Sequence, residues 1–88
     1  MPSLTGPTRV TILLFAQYAE AVGRSRVEIS LPTDATVADL LSEFRRQVAG
    51  AASLPERLMC AVNLSHVLPG HHLRDGDEVA VLPPLAGG

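Results

Sequence analysis

Apolar side chains recur at every second position in two stretches of the first third of the chain. In RVTILLF, Val10, Ile12 and Leu14 share one face, while Phe15 keeps the other face partly apolar. In RVEISL, residues 26–31, aliphatic residues alternate with Glu and Ser. Alternation of β-branched and aliphatic residues is typical of strands. The first stretch therefore predicts a central strand, and the second predicts a half-buried one.

The spacing of apolar residues becomes helical after Pro32. Between the two strands, AQYAEAVG favours a short helical turn closed by Gly23. Thr36 followed by Asp39 is a capping-box pattern at a helix start. The apolar residues that come next line one helical face: Val37, Leu40, Leu41, Phe44 and Val48. This pattern predicts an amphipathic helix packed across a sheet, with Gly50 as its stop.

The second half of the chain predicts further strands. LMCAVN reads as a third strand, after which Asn63 opens a turn and HVLPGHHL looks irregular. A tight Asp75-Gly76 turn precedes a final strand from Glu78 to Leu82. This order predicts an α+β fold, a ubiquitin-like β-grasp in which one main amphipathic helix packs across a mixed sheet. The first and last strands are expected to be neighbours at its centre.

The predicted domain organisation has three parts. Residues 1–8 are expected to form a flexible N-terminal leader, residues 9–82 the β-grasp domain, and residues 83–88 an extended C-terminal tail. Pro83 and Pro84 cannot donate hydrogen bonds to a strand ladder, so strand pairing is expected to stop there.

Composition narrows the classes of function. The chain of 88 residues has a formal net charge of -2 and only 3% aromatic residues, which argues against a nucleic-acid partner. The stretch ILLFA is too short to span a bilayer or to direct export, so no membrane association is expected. A single cysteine fits a reducing cytosol, and we expect a cytoplasmic protein.

The predicted body shows no catalytic group of side chains. Cys60 lies in an apolar strand, where a lone thiol is usually a small buried hydrophobe. The histidines are read as surface loop residues without metal-ligand spacing around them: His66, His71 and His72. The acidic residues near the last strand are read as a solvated turn: Asp75, Asp77 and Glu78. We therefore expect no metal site and no permanently bound cofactor.

The chemistry is expected at the tail LPPLAGG. Pro83 and Pro84 favour extended structure, and six residues reach roughly 18–20 Å, enough to enter a pocket of another protein. Gly87 and Gly88 can pass a constriction that any Cβ would block. The candidate functional group is therefore the carboxylate of Gly88, which needs activation, most simply adenylation with ATP by a partner enzyme. Replacement of one oxygen by sulfur would make it a soft nucleophile.

A contact surface for partners is expected near the tail. Phe15, Leu82 and Leu85 are apolar residues that the outer face of the sheet and the extended end leave exposed. Exposed apolar patches commonly mark partner sites.

Four segments resemble the sulfur-carrier subunits of molybdopterin synthase, in the MoaD/ThiS group of ubiquitin-like proteins. LFAQYAEAVG resembles the opening strand and turn of that family, LPTDATVADLL its helix entry, and AVNLSHV its asparagine turn. LRDGDEVAVLPPLAGG resembles the signature ending and is the most specific of the four. The resemblance covers residues 10–88, nearly the whole chain.

The resemblance implies a cycle in which catalysis belongs to partners. An E1-like enzyme adenylates Gly88 with ATP, and a sulfurtransferase or cysteine desulfurase supplies sulfur, leaving a C-terminal thioglycine. The charged carrier then docks on the large synthase subunit and gives sulfur to cyclic pyranopterin monophosphate, which forms the dithiolene of molybdopterin. The implied assembly is a heterotetramer of two large and two small subunits.

Other functions share the same features. A sulfur carrier for thiamine or cysteine synthesis has the same fold and the same Gly-Gly end, although the proline pair favours the molybdopterin branch. A ubiquitin-like modifier would be joined to lysines through Gly88. A β-grasp interaction domain with an inert tail is the remaining alternative.

Overall fold

The computed structural model describes residues 8–55 and 57–82. The helices and strands in chain order are β1 (Thr8–Leu14), α1 (Ala16–Val22), β2 (Arg26–Leu31), α2 (Val37–Gln47), a 3₁₀ turn (Ala51–Ser53), β3 (Met59–Val62), β4 (Ser65–Val67) and β5 (Glu78–Leu82). The strands form one five-stranded sheet in the order β2-β1-β5-β3-β4.

The first and last strands lie side by side at the centre of this sheet. β1 and β5 pair in parallel, with Ile12 opposite Val79 and Leu14 opposite Val81. The remaining neighbours, β1 with β2, β3 with β5 and β3 with β4, pair antiparallel. The mixed sheet and its central pair are as predicted.

The core lies between α2 and one face of the sheet. Val37, Leu40 and Phe44 of α2 are buried, as their helical spacing predicts. They pack in one cluster with the inward residues of the strands, among them Val10, Ile12, Leu14, Val27, Ile29, Leu31, Cys60, Val62, Val79 and Val81. Alternation along the strands leaves the opposite face of the sheet without a helix.

The predicted start of α2 is confirmed by a reciprocal pair of hydrogen bonds. The backbone N–H of Asp39 donates to Thr36 Oγ1 at 3.2 Å, and the Asp39 carboxylate accepts from the backbone N–H of Thr36 at 2.9 Å. Two otherwise unpaired donors of the first turn are thereby satisfied. Gly23 closes α1 in a left-handed conformation, at φ 82°, as predicted.

Two boundaries differ from the sequence prediction. Thr8, which was assigned to the leader, is the first residue of β1, opposite Leu31, and is 5% exposed. His66 and Val67, at the start of the stretch predicted to be irregular, belong to β4, which pairs with β3. A strand of three residues beside a Pro-Gly loop has too few alternating positions for its pattern to be recognised.

Gly50 was expected to stop α2, but it has a different role. α2 ends at Gln47 with Val48 as its cap, and Gly50 precedes the 3₁₀ turn at φ 89°. A Cβ on Gly50 would lie 2.5 Å from the carbonyl oxygen of Ala21 and 3.2 Å from Val22 Cα. The end of α1 therefore packs directly on the backbone of Gly50.

Three glycine substitutions distinguish the stability effect of this close contact from that of a left-handed backbone conformation. Gly50→Ala should lower the free energy of unfolding by about 2–4 kcal/mol, because the left-handed φ and the collision with Ala21 add together. Gly23→Ala has the positive φ without a neighbouring atom and should cost about 1 kcal/mol. Gly70→Ala has open space and should change stability by less than about 0.5 kcal/mol. Urea unfolding measures all three, and equal losses for Gly50→Ala and Gly23→Ala would contradict the close contact.

Asn63 connects the β3–β4 hairpin to the start of β5. Its side-chain N–H donates to Asp77 Oδ1 at 3.0 Å, and its side-chain oxygen accepts from the backbone N–H of Glu78 at 3.1 Å. The backbone N–H of Asn63 also donates to the carbonyl oxygen of Glu78 at 2.9 Å. The turn is formed by Asn63 and Leu64, both at positive φ, 48° and 76°. Asparagine tolerates this conformation better than most residues.

The acidic residues of this region are exposed or half-buried, and they hold the turn together. Asp75 Oδ1 accepts from the backbone N–H of Arg9 at 2.8 Å, and Asp77 Oδ2 accepts from that of Arg74 at 2.8 Å. The prediction of a turn rather than a paired-carboxylate site is consistent with these bonds. Together with Asn63, they fix the position at which β5 begins.

Exchanging the side-chain amide of Asn63 with the carboxylate of Asp77 tests the hydrogen bond between them. Asn63→Asp should cost about 1–3 kcal/mol of unfolding free energy at neutral pH, because it places two carboxylates where an amide donated to one. The double variant Asn63→Asp with Asp77→Asn restores a donor opposite an acceptor and should recover more than half of that loss. Urea unfolding at neutral pH of Asn63→Asp, of Asp77→Asn and of the double variant measures this recovery, and additive losses of the two single variants would refute the pairing.

Candidate functional site

β5 ends at the edge of the sheet from which the predicted tail continues. Leu82 is the last residue of β5, and it is half-buried. The tail residues singled out by the sequence lie outside the described residues: Pro83, Pro84, Leu85, Gly87 and Gly88. What the structure does describe is the surface around the point where the tail begins, called here the tail edge.

The tail edge brings together two of the residues predicted for partner contact. Because β1 runs parallel to β5 and Leu14 lies opposite Val81, Phe15 is next along the chain at the same edge as Leu82. Phe15 is 47% exposed although it is large and apolar. The parallel central pair therefore places Phe15 and Leu82 at the same edge.

Two further apolar residues extend this edge beyond those predicted from the sequence. Met59 lies directly opposite Leu82 in the β3–β5 ladder and is 38% exposed. Leu68 follows Val67, the partner of Cys60 on β4, and is 79% exposed. We call Phe15, Leu82, Met59 and Leu68 the tail-edge row. Alternation with the buried Cys60 would have indicated Met59, whereas Leu68 becomes recognisable only once β4 is known.

Behind the tail-edge row, the next row of the open face is apolar at its centre and polar at both ends. Leu13 lies opposite Ala80, and Ala80 lies opposite Ala61 on β3. Arg26 of β2, opposite Leu13, and His66 of β4, opposite Ala61, are the ends of this row. Glu78, one row farther along β5, lies 3.6 Å from Arg26 in an exposed ion pair. The apolar surface is therefore confined to the tail-edge row and the three central positions behind it. Such a patch suits a partner that also receives the tail.

An apolar groove continues the row around β4 toward α2. It has a volume of about 370 Å³, and Val37 and Leu41 of α2 form one wall. Met59 and Leu68 form part of the other wall. The apolar surface at the tail edge is therefore wider than the sheet face alone.

The reactive side chains of the body do not converge on the tail edge. Cys60 is 4% exposed, and burial raises the pKa of its thiol to about 11. Because the thiolate is the reactive form, a thiol with so high a pKa is unreactive at neutral pH. Cys60 is therefore a small buried hydrophobe, as predicted. Among residues 8–55 and 57–82, no group of His, Cys, Asp and Glu could hold a metal ion.

The histidines are exposed, but their positions differ in part from the prediction. His66 lies in β4 opposite Ala61, not in a loop. His71 and His72 follow the Pro-Gly turn, and His72 Nδ1 lies 2.9 Å from the carbonyl oxygen of Asp34.

Within the described part of the chain, no helix is long and apolar enough to cross a membrane.

The arrangement of strands and helices defines a class of protein. A mixed sheet with parallel first and last strands, covered on one face by a single main helix, is the ubiquitin-like β-grasp. The chain belongs to the ThiS family within that class, because the sequence profile of the family matches residues 12–88.

Known proteins support this membership. The human molybdopterin synthase sulfur carrier subunit is 34% identical over 83 residues, which cover 91% of this chain and 94% of the human one. The small archaeal modifier protein 1 of Haloferax volcanii superimposes with a TM-score of 0.74 at 27% identity, covering 89% of this chain and 99% of that one. The resemblance to sulfur-carrier subunits of molybdopterin synthase is thereby confirmed.

A more distant structure shows the same fold in an assembly. A chain of the complex of subunits 1 and 2 of the molybdopterin-converting factor from Helicobacter pylori superimposes with a TM-score of 0.66 at 20% identity. The superposition covers 92% of this chain and 100% of that one.

Proposed function

We propose that this chain is the sulfur-carrier subunit of a molybdopterin synthase and that the carboxylate of Gly88 carries the sulfur. The observation that carries the proposal is the sequence LPPLAGG directly after the central strand β5, whose end is surrounded by the tail-edge row. The sulfur is given to cyclic pyranopterin monophosphate, on which it forms the dithiolene of molybdopterin. The chain is not an enzyme on its own, and the catalytic side chains belong to the large subunit.

The chemistry requires activation before sulfur transfer. The Gly88 carboxylate attacks the α-phosphorus of ATP, pyrophosphate leaves, and an acyl adenylate forms. A persulfide sulfur of the donor protein then bonds to the carbonyl carbon, and AMP leaves with the electron pair of the broken C–O bond. A second thiol, the reductant, attacks the donor's sulfur in the resulting acyl disulfide, forms a disulfide with it and frees the thiocarboxylate with the electron pair of the broken S–S bond. The thiocarboxylate is ionised at neutral pH and attacks without a neighbouring base. The C-terminal thioglycine is thus the only group that the carrier must bring, and ATP is used by the partner.

Three partners follow from this cycle. An E1-like enzyme adenylates the tail, a sulfurtransferase or cysteine desulfurase supplies sulfur, and the large catalytic subunit receives the tail. We place these steps in the cytoplasm and the final one in a heterotetramer of two large and two small subunits. The described complex of subunits 1 and 2 from Helicobacter pylori supports a large subunit as partner.

The apolar surface at the tail edge fits a carrier whose folded body binds a partner while its tail enters that partner. A partner that covers Met59 and Leu68 removes apolar surface from water while it receives the residues after Leu82. The contact therefore contributes binding free energy at the place where the reactive end must be positioned.

A second candidate function rests on the likeness to the small archaeal modifier protein 1. In that role Gly88 would form an isopeptide bond with a lysine of another protein. The intact mass of the C-terminal peptide from natively expressed protein distinguishes the two. Exchange of one oxygen for sulfur supports a carrier, for the molybdopterin pathway or for thiamine or cysteine synthesis, whereas branched peptides ending in Gly-Gly support a modifier.

Charged substitutions test the tail-edge row as a docking surface. Met59→Glu and Leu68→Glu should each weaken binding to the large subunit at least about tenfold, because a carboxylate would be buried against apolar surface. Leu64→Glu is the matched control, since Leu64 is 97% exposed at the opposite end of the β3–β4 hairpin. Isothermal titration measures affinity, and thermal melting confirms that all three variants fold. Equal affinities for all three would show that the partner binds elsewhere.

Changes at the tail separate folding from sulfur transfer. Deletion of Gly87 and Gly88 removes no residue of the core and should leave the melting temperature unchanged, but it should abolish sulfur transfer. One residue appended after Gly88 should do the same, because the reactive group is displaced by ångströms and an error of about 1 Å already costs on the order of a hundredfold in rate. Gly87→Ala should be milder.

The assay for these tail variants is conversion of cyclic pyranopterin monophosphate by chemically thiocarboxylated carrier with the large subunit. For the deletion variant, the thiocarboxylate is placed on the new terminal residue. Full product formation by this variant would refute the carrier mechanism.

A further inference from the structure

The basic side chains of this chain are all of one chemical kind. Every one of the seven residues counted as Lys or Arg is an arginine. All are exposed except Arg45, which is half-buried. The surface therefore carries its positive charge on guanidinium groups, which are far weaker acids than the ammonium group of lysine.

This choice of cation matters for a protein whose end becomes an acyl adenylate. In such a group, the nitrogen of a neutral amine attacks the carbonyl carbon and a C–N bond forms. The C–O bond to AMP then breaks, AMP leaves with its electron pair, and the amine proton passes to water. A lysine at pH 8.5 is about 1% neutral, whereas an arginine is neutral to about 0.01% or less, so arginine is on the order of a hundredfold poorer as an acceptor.

The fold keeps the thiol of Cys60 from attacking an acyl adenylate. Cys60 is 4% exposed, and its backbone is paired on both sides, with Val81 on β5 and Val67 on β4. Burial raises the pKa of the thiol to about 11, so little thiolate exists at neutral pH. Exposed imidazoles form acyl derivatives that water hydrolyses back to the carboxylate, and hydroxyl groups need an adjacent base to attack.

We propose that the folded body, residues 8–82, is inert toward an activated C-terminus, its own or that of a second copy, so that, apart from water and the α-amine, the activated chain reacts with a nucleophile supplied by a partner. This inference rests on the proposed function, because only an activated tail needs such protection. The folded body then does not serve as an acyl acceptor. If it is ever joined to a lysine of another protein, the conjugate is a single unit, because the body offers no ε-amine for a second one.

A chemically activated chain tests this without any partner enzyme. The chain is prepared with a C-terminal thioester of 2-mercaptoethanesulfonate and an acetylated α-amine, and it is incubated at pH 8.5. Intact mass spectrometry follows hydrolysis and chain-to-chain adducts, and tandem mass spectrometry locates each link. The parent chain should lose its thioester by hydrolysis, with no adduct linked within residues 8–82.

Two variants supply the missing nucleophiles. Arg24→Lys keeps the charge at an exposed position and should form isopeptide adducts at residue 24 on the order of a hundredfold faster than the parent chain. Ser42→Cys places a thiol on the exposed face of α2 and should exchange into the thioester, whereas Cys60 should not.

The inference is overturned if the parent chain forms adducts as fast as Arg24→Lys, if Cys60 carries an adduct in the parent, or if Arg24→Lys forms no more than the parent. Because the thioester is made chemically, none of these outcomes depends on whether the chain serves molybdopterin synthesis. The proposed function is tested separately by the tail deletion.

Discussion

The parallel pairing of β1 with β5 is the contact on which the rest of the structure depends. It joins residues that are more than sixty positions apart, such as Ile12 and Val79, and it encloses everything between them. The chain must leave β1 at one edge, cross the sheet with α2 and return, because parallel neighbours cannot be joined by a short hairpin. The same pairing places Phe15 next to the start of the tail. The fold and the candidate site thus result from one ladder.

The core and the proposed docking surface use alternate residues of the same strands. Val81 and Cys60 point into the core, while their neighbours Leu82 and Met59 lie on the open face at the tail edge. Because successive side chains of a strand alternate between faces, the helix-covered face can be fully packed without using any residue of the proposed docking surface. Substitutions on the open face can therefore change that surface while leaving the core intact.

Local patterns in the sequence predicted the parts of the structure that depend on local contacts. The capping box at Thr36, the helical spacing along α2 and the Asp75-Gly76 turn are encoded by residues close in sequence, and each forms as expected, although bonds to Arg9 and Asn63 also hold the turn. β4, the exposure of Leu68 and the contact of Gly50 with Ala21 depend on residues that meet only after folding. Gly50 shows the limit clearly, since a glycine after a helix is usually its stop and only the position of α1 reveals another cause.

The position of β5 between two strands also determines how the protein responds to force. A pull on the chain beyond Leu82, along the direction of β5, loads the ladders with β1 and β3 together and in shear. Shear breaks all the hydrogen bonds of a ladder at once, whereas peeling an edge strand such as β4 breaks them one after another. A machine that unfolds this protein from its C-terminal end therefore acts first on β5, a strand that is paired on both sides, and not on an edge strand.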